Sequence, residues 1–130
     1  MNLTVLSPSR IHCRAAEVTR LRAVGLEGVF GLLPRHLDYV AALRPGILTF
    51  DDGQGRHHLA VDEGVLVKEG PEVRVVSLRV VEGQLEELAA AVRAMLDQTE
   101  QHERKTRAAL ASLEAGLVRH FAYLELAHGR

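Results

Sequence analysis

Short apolar runs separated by turn residues fill the chain as far as residue 81. The residues between the runs are rich in Gly, Pro, Asp and Ser, as in Ser7-Pro8-Ser9 and Asp52-Gly53, which favour turns. Many short strands joined by regular turns are typical of an all-β sandwich or barrel. The runs predict strands at residues 3–6, 11–14, 18–24, 40–43, 47–50, 58–61, 65–68 and 73–78. We therefore expect an N-terminal all-β sandwich of about eight to ten short strands.

The hydrophobic period changes near Gly83, where the spacing becomes that of an amphipathic helix. One apolar stripe includes Leu85, Leu88 and Val92, and a second follows at residues 110–124. The sequence thus predicts a β-sandwich domain at residues 1–81 and a C-terminal α-helical domain at residues 82–130.

The helical region lacks the usual helix breakers. Neither glycine nor proline occurs between Gln84 and Ala115, although a helical hairpin would need a turn around residues 98–104. The apolar spacing continues through that segment. A helical hairpin and one extended helix therefore both fit the pattern.

Composition narrows the class of function. The chain has 16 basic and 17 acidic residues, so it lacks the basic surface expected of a nucleic-acid-binding protein. Cys13 is the only cysteine, which excludes an internal disulfide and fits a reducing compartment. The sequence has neither a signal-peptide pattern nor a long apolar run. We expect a protein that is cytosolic or peripheral on a membrane complex.

Candidate catalytic and metal-binding residues are few. His57 and His58 are adjacent, so a strand would point them to opposite faces. The other histidines are scattered singly, without a recognised metal-ligand spacing, and we expect surface histidines. The sequence also lacks a phosphate-binding loop and a serine elbow. We expect no catalytic residue, metal or cofactor; a metal-dependent β-barrel enzyme using His57 or His58 is the less favoured alternative.

The segment from Gly25 to His36 has a distinctive pattern. Glycines recur at every third position as far as Gly31, and Pro34 follows, which favours left-handed backbone and a fixed shape. Bulky apolar residues stand beside charged ones, as at the edge of a partner-binding surface. A bent strand with its turns explains the same pattern.

Three segments in register resemble the epsilon subunit of F-type rotary ATP synthases, which is called delta in mitochondria. They are GLEGVFGLLPRH at residues 25–36, LRPG at residues 43–46 and AVDEGVLV at residues 60–67. The resemblance covers residues 1 to about 81 well and the helical remainder loosely. It implies a β-sandwich followed by two C-terminal helices.

The resemblance implies a non-catalytic role in the central stalk of a bacterial ATP synthase. The subunit would couple the gamma shaft to the membrane c-ring in proton- or sodium-driven ATP synthesis and restrain ATP hydrolysis. It would lie on the cytoplasmic face of the cell membrane, associated with the membrane only through the complex. A free-standing β-sandwich adaptor or small-ligand module with a helical tail is the alternative.

The same resemblance assigns contact residues. The implied c-ring contacts are Glu27, Gly28, Val29 and Phe30, and the implied gamma contacts are Arg35, His36 and Ala41. The C-terminal helix would meet the alpha and beta catalytic subunits through its basic residues. Those residues are Arg104, Lys105, Arg107 and Arg119.

Two positions depart from the family pattern. Val29 stands where many relatives carry a second acidic residue, which suggests a divergent branch such as the alternative, sodium-linked ATPases. Some relatives carry a nucleotide-binding pattern near the start of the first helix, and this chain has Ala89 at the position of its arginine. That arginine would bind phosphate. We therefore expect weak or no nucleotide binding at the start of the helix.

Overall fold

The computed structural model describes residues 1–128, and it describes the side chains of residues 1–120. The described chain forms ten strands followed by one helix, which confirms the predicted sandwich with a C-terminal helical region. The strands are β1 (Asn2–Leu6), β2 (Ile11–Ala15), β3 (Arg20–Gly25), β4 (Gly28–Leu32), β5 (Tyr39–Leu43), β6 (Gly46–Asp52), β7 (Gly55–Val61), β8 (Gly64–Glu69), β9 (Glu72–Ser77) and β10 (Val80–Val81), and the helix is α1 (Leu85–His128).

The strands follow one hydrogen-bonded path with two halves. The first half has the order β10-β7-β6-β3, with β4 also paired to β3, and the second has the order β5-β8-β9-β1-β2. The halves are linked in the ladder by the pair Gly25↔Leu43, beside a bond from the Arg44 N–H to the Val24 carbonyl at 3.0 Å. Only the β1–β9 pairing is parallel within the described sheet.

The core lies between the two halves, and period-two alternation builds it. In β3, Leu21 and Ala23 are buried while Arg20 and Arg22 are exposed, as the sequence predicts. The core contains Leu3, Val5, Leu21, Leu32, Leu48, Phe50, Leu59, Val61, Leu66, Val73 and Val75.

A second, smaller apolar cluster joins the start of α1 to the outer face of the first half. Leu88 and Met95 are buried with Ala60 of β7. The contacts divide the chain into the units Met1–Met95 and Leu96–Arg130. The first turns of α1 thus belong to the same unit as the sandwich, and the division at residues 81 and 82 stays a prediction.

Several sequence predictions differ from the structure. The predicted strand at residues 18–24 begins at Arg20, because the Val18 N–H bonds to the Met1 carbonyl at 2.9 Å. Strand β10 was missed, since it is only two residues long, whereas β4 agrees with the bent-strand interpretation of the glycine-rich segment. Of the two helical alternatives, the described residues show the extended helix, because α1 continues through residues 98–104.

The expectation about the recurring glycines was mostly wrong. Of Gly25, Gly28 and Gly31, only Gly28 has a positive φ, at 120°. At Gly25 the constraint is space instead, because a Cβ there would make a tight contact of 3.2 Å with the Phe30 ring. Gly31 lies in extended backbone, opposite Arg22 in the ladder.

Gly64 is a position where close backbone approach demands glycine. A Cβ there would overlap the Val76 carbonyl across the β8–β9 pair, so Gly64→Ala requires the strands to move apart. We expect it to lower the free energy of unfolding by about 1–3 kcal/mol in urea denaturation. Gly31→Ala is the control, since its Cβ would make an ordinary contact of 3.6 Å. Equal stabilities of the two variants would contradict this explanation.

Candidate partner-binding rim

The four predicted ring contacts lie at one hairpin. Strands β3 and β4 pair from Leu21↔Leu32 to Gly25↔Gly28, so Leu26 and Glu27 form the turn. Gly28 closes it with a φ of 120°, which is costly for other residues. Leu26 and Val29 are each 69% exposed. The hairpin therefore presents apolar side chains beside the Glu27 carboxylate.

A groove separates this hairpin from β5. Beyond the pair Gly25↔Leu43 the two segments share no further ladder pair, and a volume of about 410 Å³ opens between them. We call this groove and its lining the rim. It is lined by residues 25–30, Tyr39, Ala41 and Ala42. The rim thus brings the predicted ring contacts together with Ala41, a predicted gamma contact.

His36 is joined to the rim by ring contacts. Its ring lies 5.4 Å from that of Tyr39, edge-on, and the Tyr39 ring lies 5.6 Å from that of Phe30. Such arrangements are favourable for aromatic rings. Arg35 is exposed and is absent from the rim lining. The two predicted contact segments are therefore neighbours, connected through Tyr39.

Lys68 anchors the loop that carries His36. Its side chain is 1% exposed, and its ammonium donates to the carbonyls of His36 and Gly70, each at 2.7 Å. Asp38 completes the anchor by accepting a bond from the Gly70 N–H at 2.8 Å. These charge-assisted bonds offset the cost of burying the ammonium.

Sequence reasoning missed Lys68 as a positioning residue. The strand alternation could have indicated its burial. Leu66 and Lys68 are two residues apart in β8, so they lie on the same, inward face of the strand. A lysine on an inward face needs hydrogen-bond acceptors. The sequence does not say that the acceptors come from a loop more than thirty residues earlier.

Exposed apolar side chains also occur in the segment that connects the β3–β4 hairpin to β5, and in β5 itself. Leu33 is 54% exposed, Leu37 is 84% exposed and Val40 is 68% exposed. Together with Leu26 and Val29 they follow the segment from the hairpin to β5. Exposed apolar side chains grouped in this way are a common feature of surfaces that bind partners.

The adjacent residues His57 and His58 each contact side chains of the neighbouring strand. His57 stacks on Phe50 at 4.9 Å and its Nε2 lies 3.0 Å from Asp52 Oδ1, whereas His58 Nδ1 lies 3.0 Å from Thr49 Oγ1. The Gln54 N–H lowers the pKa of Asp52, burial opposes this, and His57 lowers it further. Both histidines therefore have side-chain partners on β6.

Among the side chains that the structure describes, no three or more His, Cys, Asp or Glu are arranged to hold a metal ion.

The basic residues of α1 are partly neutralised on the helix itself. Arg104 pairs with Glu100 at 2.9 Å and Arg107 pairs with Glu103 at 3.6 Å, both one turn apart. Lys105 and Arg119 are exposed. The net positive charge of this segment is therefore smaller than the number of its basic residues alone would indicate.

In its described part, α1 lacks an apolar stretch of the length that a bilayer crossing requires.

Comparisons with known proteins agree with this geometry. Residues 1–83 match the family model of the ATP synthase delta/epsilon chain β-sandwich domain. ATP synthase epsilon chain 2 of Paraburkholderia xenovorans is 33% identical, with 87% of this chain and 92% of the relative covered. ATP synthase epsilon chain 2 of Cereibacter sphaeroides is 30% identical, with 92% of this chain and 84% of the relative covered.

Solved structures share the fold. A chain in the Tetrahymena thermophila mitochondrial ATP synthase central stalk and c-ring matches with a TM-score of 0.54 and 12% identity, covering 72% of this chain and 87% of that one. A chain of the Euglena gracilis mitochondrial ATP synthase matches with a TM-score of 0.58 and 24% identity, covering 68% and 59%. The family match and the two bacterial relatives confirm the resemblance seen in the sequence: this chain belongs to the ATP synthase delta/epsilon chains.

Proposed function

We propose that this chain is the epsilon subunit in the central stalk of a bacterial F-type ATP synthase, where it couples the gamma shaft to the c-ring. The observation that carries the proposal is the rim, an open groove edged by the exposed side chains of Leu26 and Val29, on a sandwich of the delta/epsilon family. The subunit is not catalytic in this role. A free-standing adaptor is not favoured, because the relatives that match most of the chain are epsilon chains.

The hairpin of the rim contacts the c-ring in this proposal. Glu27, Gly28, Val29 and Phe30 lie on a turn whose backbone is held by the β3–β4 ladder, and torque transmission requires such stiffness. The exposed side chains of Leu26 and Val29 favour an apolar contact, with Glu27 as the charged group. This contact has less charge pairing than in relatives with a second acidic residue.

The segment beside the hairpin contacts gamma. Ala41 lines the rim, His36 reaches it through Tyr39, and Arg35 is exposed nearby in the chain. Because Lys68 holds the His36 carbonyl, the gamma-binding segment is fixed to the sandwich. Gamma and the ring would then meet adjoining parts of one surface.

The C-terminal helix restrains ATP hydrolysis by meeting the alpha and beta catalytic subunits. Its proposed contacts are Arg104, Lys105, Arg107 and Arg119. The apolar residues Leu110, Leu113 and Leu117 are 54%, 62% and 48% exposed, so this stripe is available for a partner in the assembled complex.

The complex would place the chain on the cytoplasmic face of the bacterial membrane, as a peripheral subunit of a machine driven by protons or sodium ions. Two relatives are each named epsilon chain 2. Those names, together with Val29 at a commonly acidic position, support assignment to a divergent branch.

Gly28→Val tests the hairpin. A β-branched residue at a φ of 120° is strained, so the turn should shift and ATP-driven ion pumping by the reconstituted complex should fall. Gly31→Val is the matched control, because its extended backbone suits valine. Circular dichroism should show both variants folded. Equal losses of pumping would contradict a special role for the turn.

Lys68→Met tests the anchor of the gamma-binding loop. The methionine has similar length but leaves the carbonyls of His36 and Gly70 without their donor, so gamma affinity measured by calorimetry should fall about tenfold. Arg74→Met is the control, because Arg74 is exposed on β9. An affinity equal to that of the control would contradict the positioning role of Lys68.

Removal of residues 96–130 tests the restraint on hydrolysis. The shortened chain keeps the whole first unit, so it should assemble normally and raise the ATP hydrolysis rate of the complex. Replacing Arg104 and Arg107 by Gln should reproduce part of the increase, whereas replacing Glu100 and Glu103 by Gln should not. An unchanged rate in the shortened complex would contradict the proposal.

A further inference from the structure

A cluster of basic side chains lies on the outer face of the first half, away from the rim groove. Arg20 and Arg22 lie on β3, and Arg56 lies on β7, two strands away across β6. The ladder aligns them, because Arg20 pairs with Asp51 and Asp51 pairs with Arg56. The cluster encloses a cavity of about 110 Å³, lined by Arg20, Arg22, Thr49, Asp51, Arg56 and His58.

The positive charge of this cluster is only partly compensated. Arg56 binds Asp51 with two nitrogens, Nε to Oδ1 at 2.9 Å and Nη2 to Oδ2 at 3.4 Å. That hydrogen bond is the largest cause of the lowered pKa of Asp51, and the charges of Arg56, Arg20 and Arg22 add to it. Arg20 and Arg22 have no ion pair within the described residues. Three guanidinium groups therefore face one carboxylate.

The positive charge of this cluster does not reflect an excess of basic residues in the chain. The chain as a whole has a net charge of −1, yet the cavity is lined by three arginines. Arg20 and Arg22 stand two apart on one strand face, about 6–7 Å along the strand. Like charges so placed repel each other, and a shared anion would turn the repulsion into attraction.

The side chains suit an oxyanion with several acceptor oxygens. Each guanidinium presents a planar fork of donors, which matches phosphate geometry. Thr49 and His58, bonded to each other at 3.0 Å, add polar groups to the cavity wall. A carboxylate would satisfy one arginine, as Asp51 does for Arg56, whereas a tetrahedral phosphate has oxygens for more than one.

A second groove continues from the same arginines. It has a volume of about 510 Å³ and is lined by Arg20, Arg22 and residues 29–33. It therefore offers space and apolar surface, from Val29 and Leu33, next to the proposed phosphate position. A ligand with a phosphate group and a less polar remainder would occupy both.

We propose that Arg20, Arg22 and Arg56 form a binding site for a soluble, phosphate-bearing small molecule on the outer face of the sandwich. The three arginines lie outside the rim and α1, which the stalk function uses, whereas the adjoining groove shares Val29 and Phe30 with the rim. The cavity of the site is distinct from the start of α1, where the nucleotide-binding pattern of some relatives is disrupted.

Titration of the full chain with sodium phosphate, followed by amide chemical shifts, tests the site. Ionic strength is held constant with sodium chloride. Amides of residues 20–22, 49–51 and 56–58 should shift and saturate. In the double variant Arg20→Gln and Arg22→Gln the phosphate affinity should fall about tenfold or more. Asp51→Asn should tighten binding, because it removes the competing carboxylate.

The control variant carries Arg10→Gln and Arg44→Gln, which removes the same charge from exposed positions elsewhere on the sandwich. Its phosphate affinity should equal that of the unchanged chain. Shifts that do not saturate, or equal weakening in both double variants, would show general ionic attraction and overturn the proposal. Binding to phosphatidylglycerol vesicles without a saturable phosphate response would also overturn it, in favour of a membrane contact.

Discussion

The rim depends on the point where the two halves of the sandwich part. Their link in the ladder is the pair Gly25↔Leu43, and from there the β3–β4 hairpin and β5 diverge to leave the groove. Gly25 leaves room there for the Phe30 ring, since a Cβ would make a tight contact of 3.2 Å with it. The Phe30 ring in turn contacts Tyr39 across the opening. The junction of the two halves thus positions both proposed contact segments.

Buried polar groups hold the turns of the sandwich in place. Lys68 holds the loop before β5, and Asp62 holds the chain near β10 by accepting from Arg79 Nε at 3.0 Å. Ser77 Oγ bonds to the Asp62 N–H and to the Arg79 carbonyl, at 2.8 and 2.7 Å. A buried polar group without its partner is costly, so these segments have little freedom to move. Such rigidity suits a subunit that transmits torque.

The outer face of the first half is divided between two uses. At one end Ile47, Ala60 and Val81 pack against the start of α1. At the other end Arg22 of β3 and the half-buried His58 of β7 line the proposed phosphate site. The helix therefore covers the apolar part of the face and leaves the basic part open.

The sequence by itself determined the strand alternation, the turn at Asp52-Gly53, the change to a helical period near Gly83, and the family motifs. These features are local, because side-chain period and turn chemistry act over a few residues. Tertiary structure alone decided that Lys68 meets the His36 loop, that Arg20 and Arg56 share a cavity across β6, and that Phe30, Tyr39 and His36 touch. Each of these depends on strand register and on contacts between distant segments, which a local pattern does not encode. The C-terminal helical region lies between the two cases: its spacing allowed a hairpin or one helix, and the described residues form one helix.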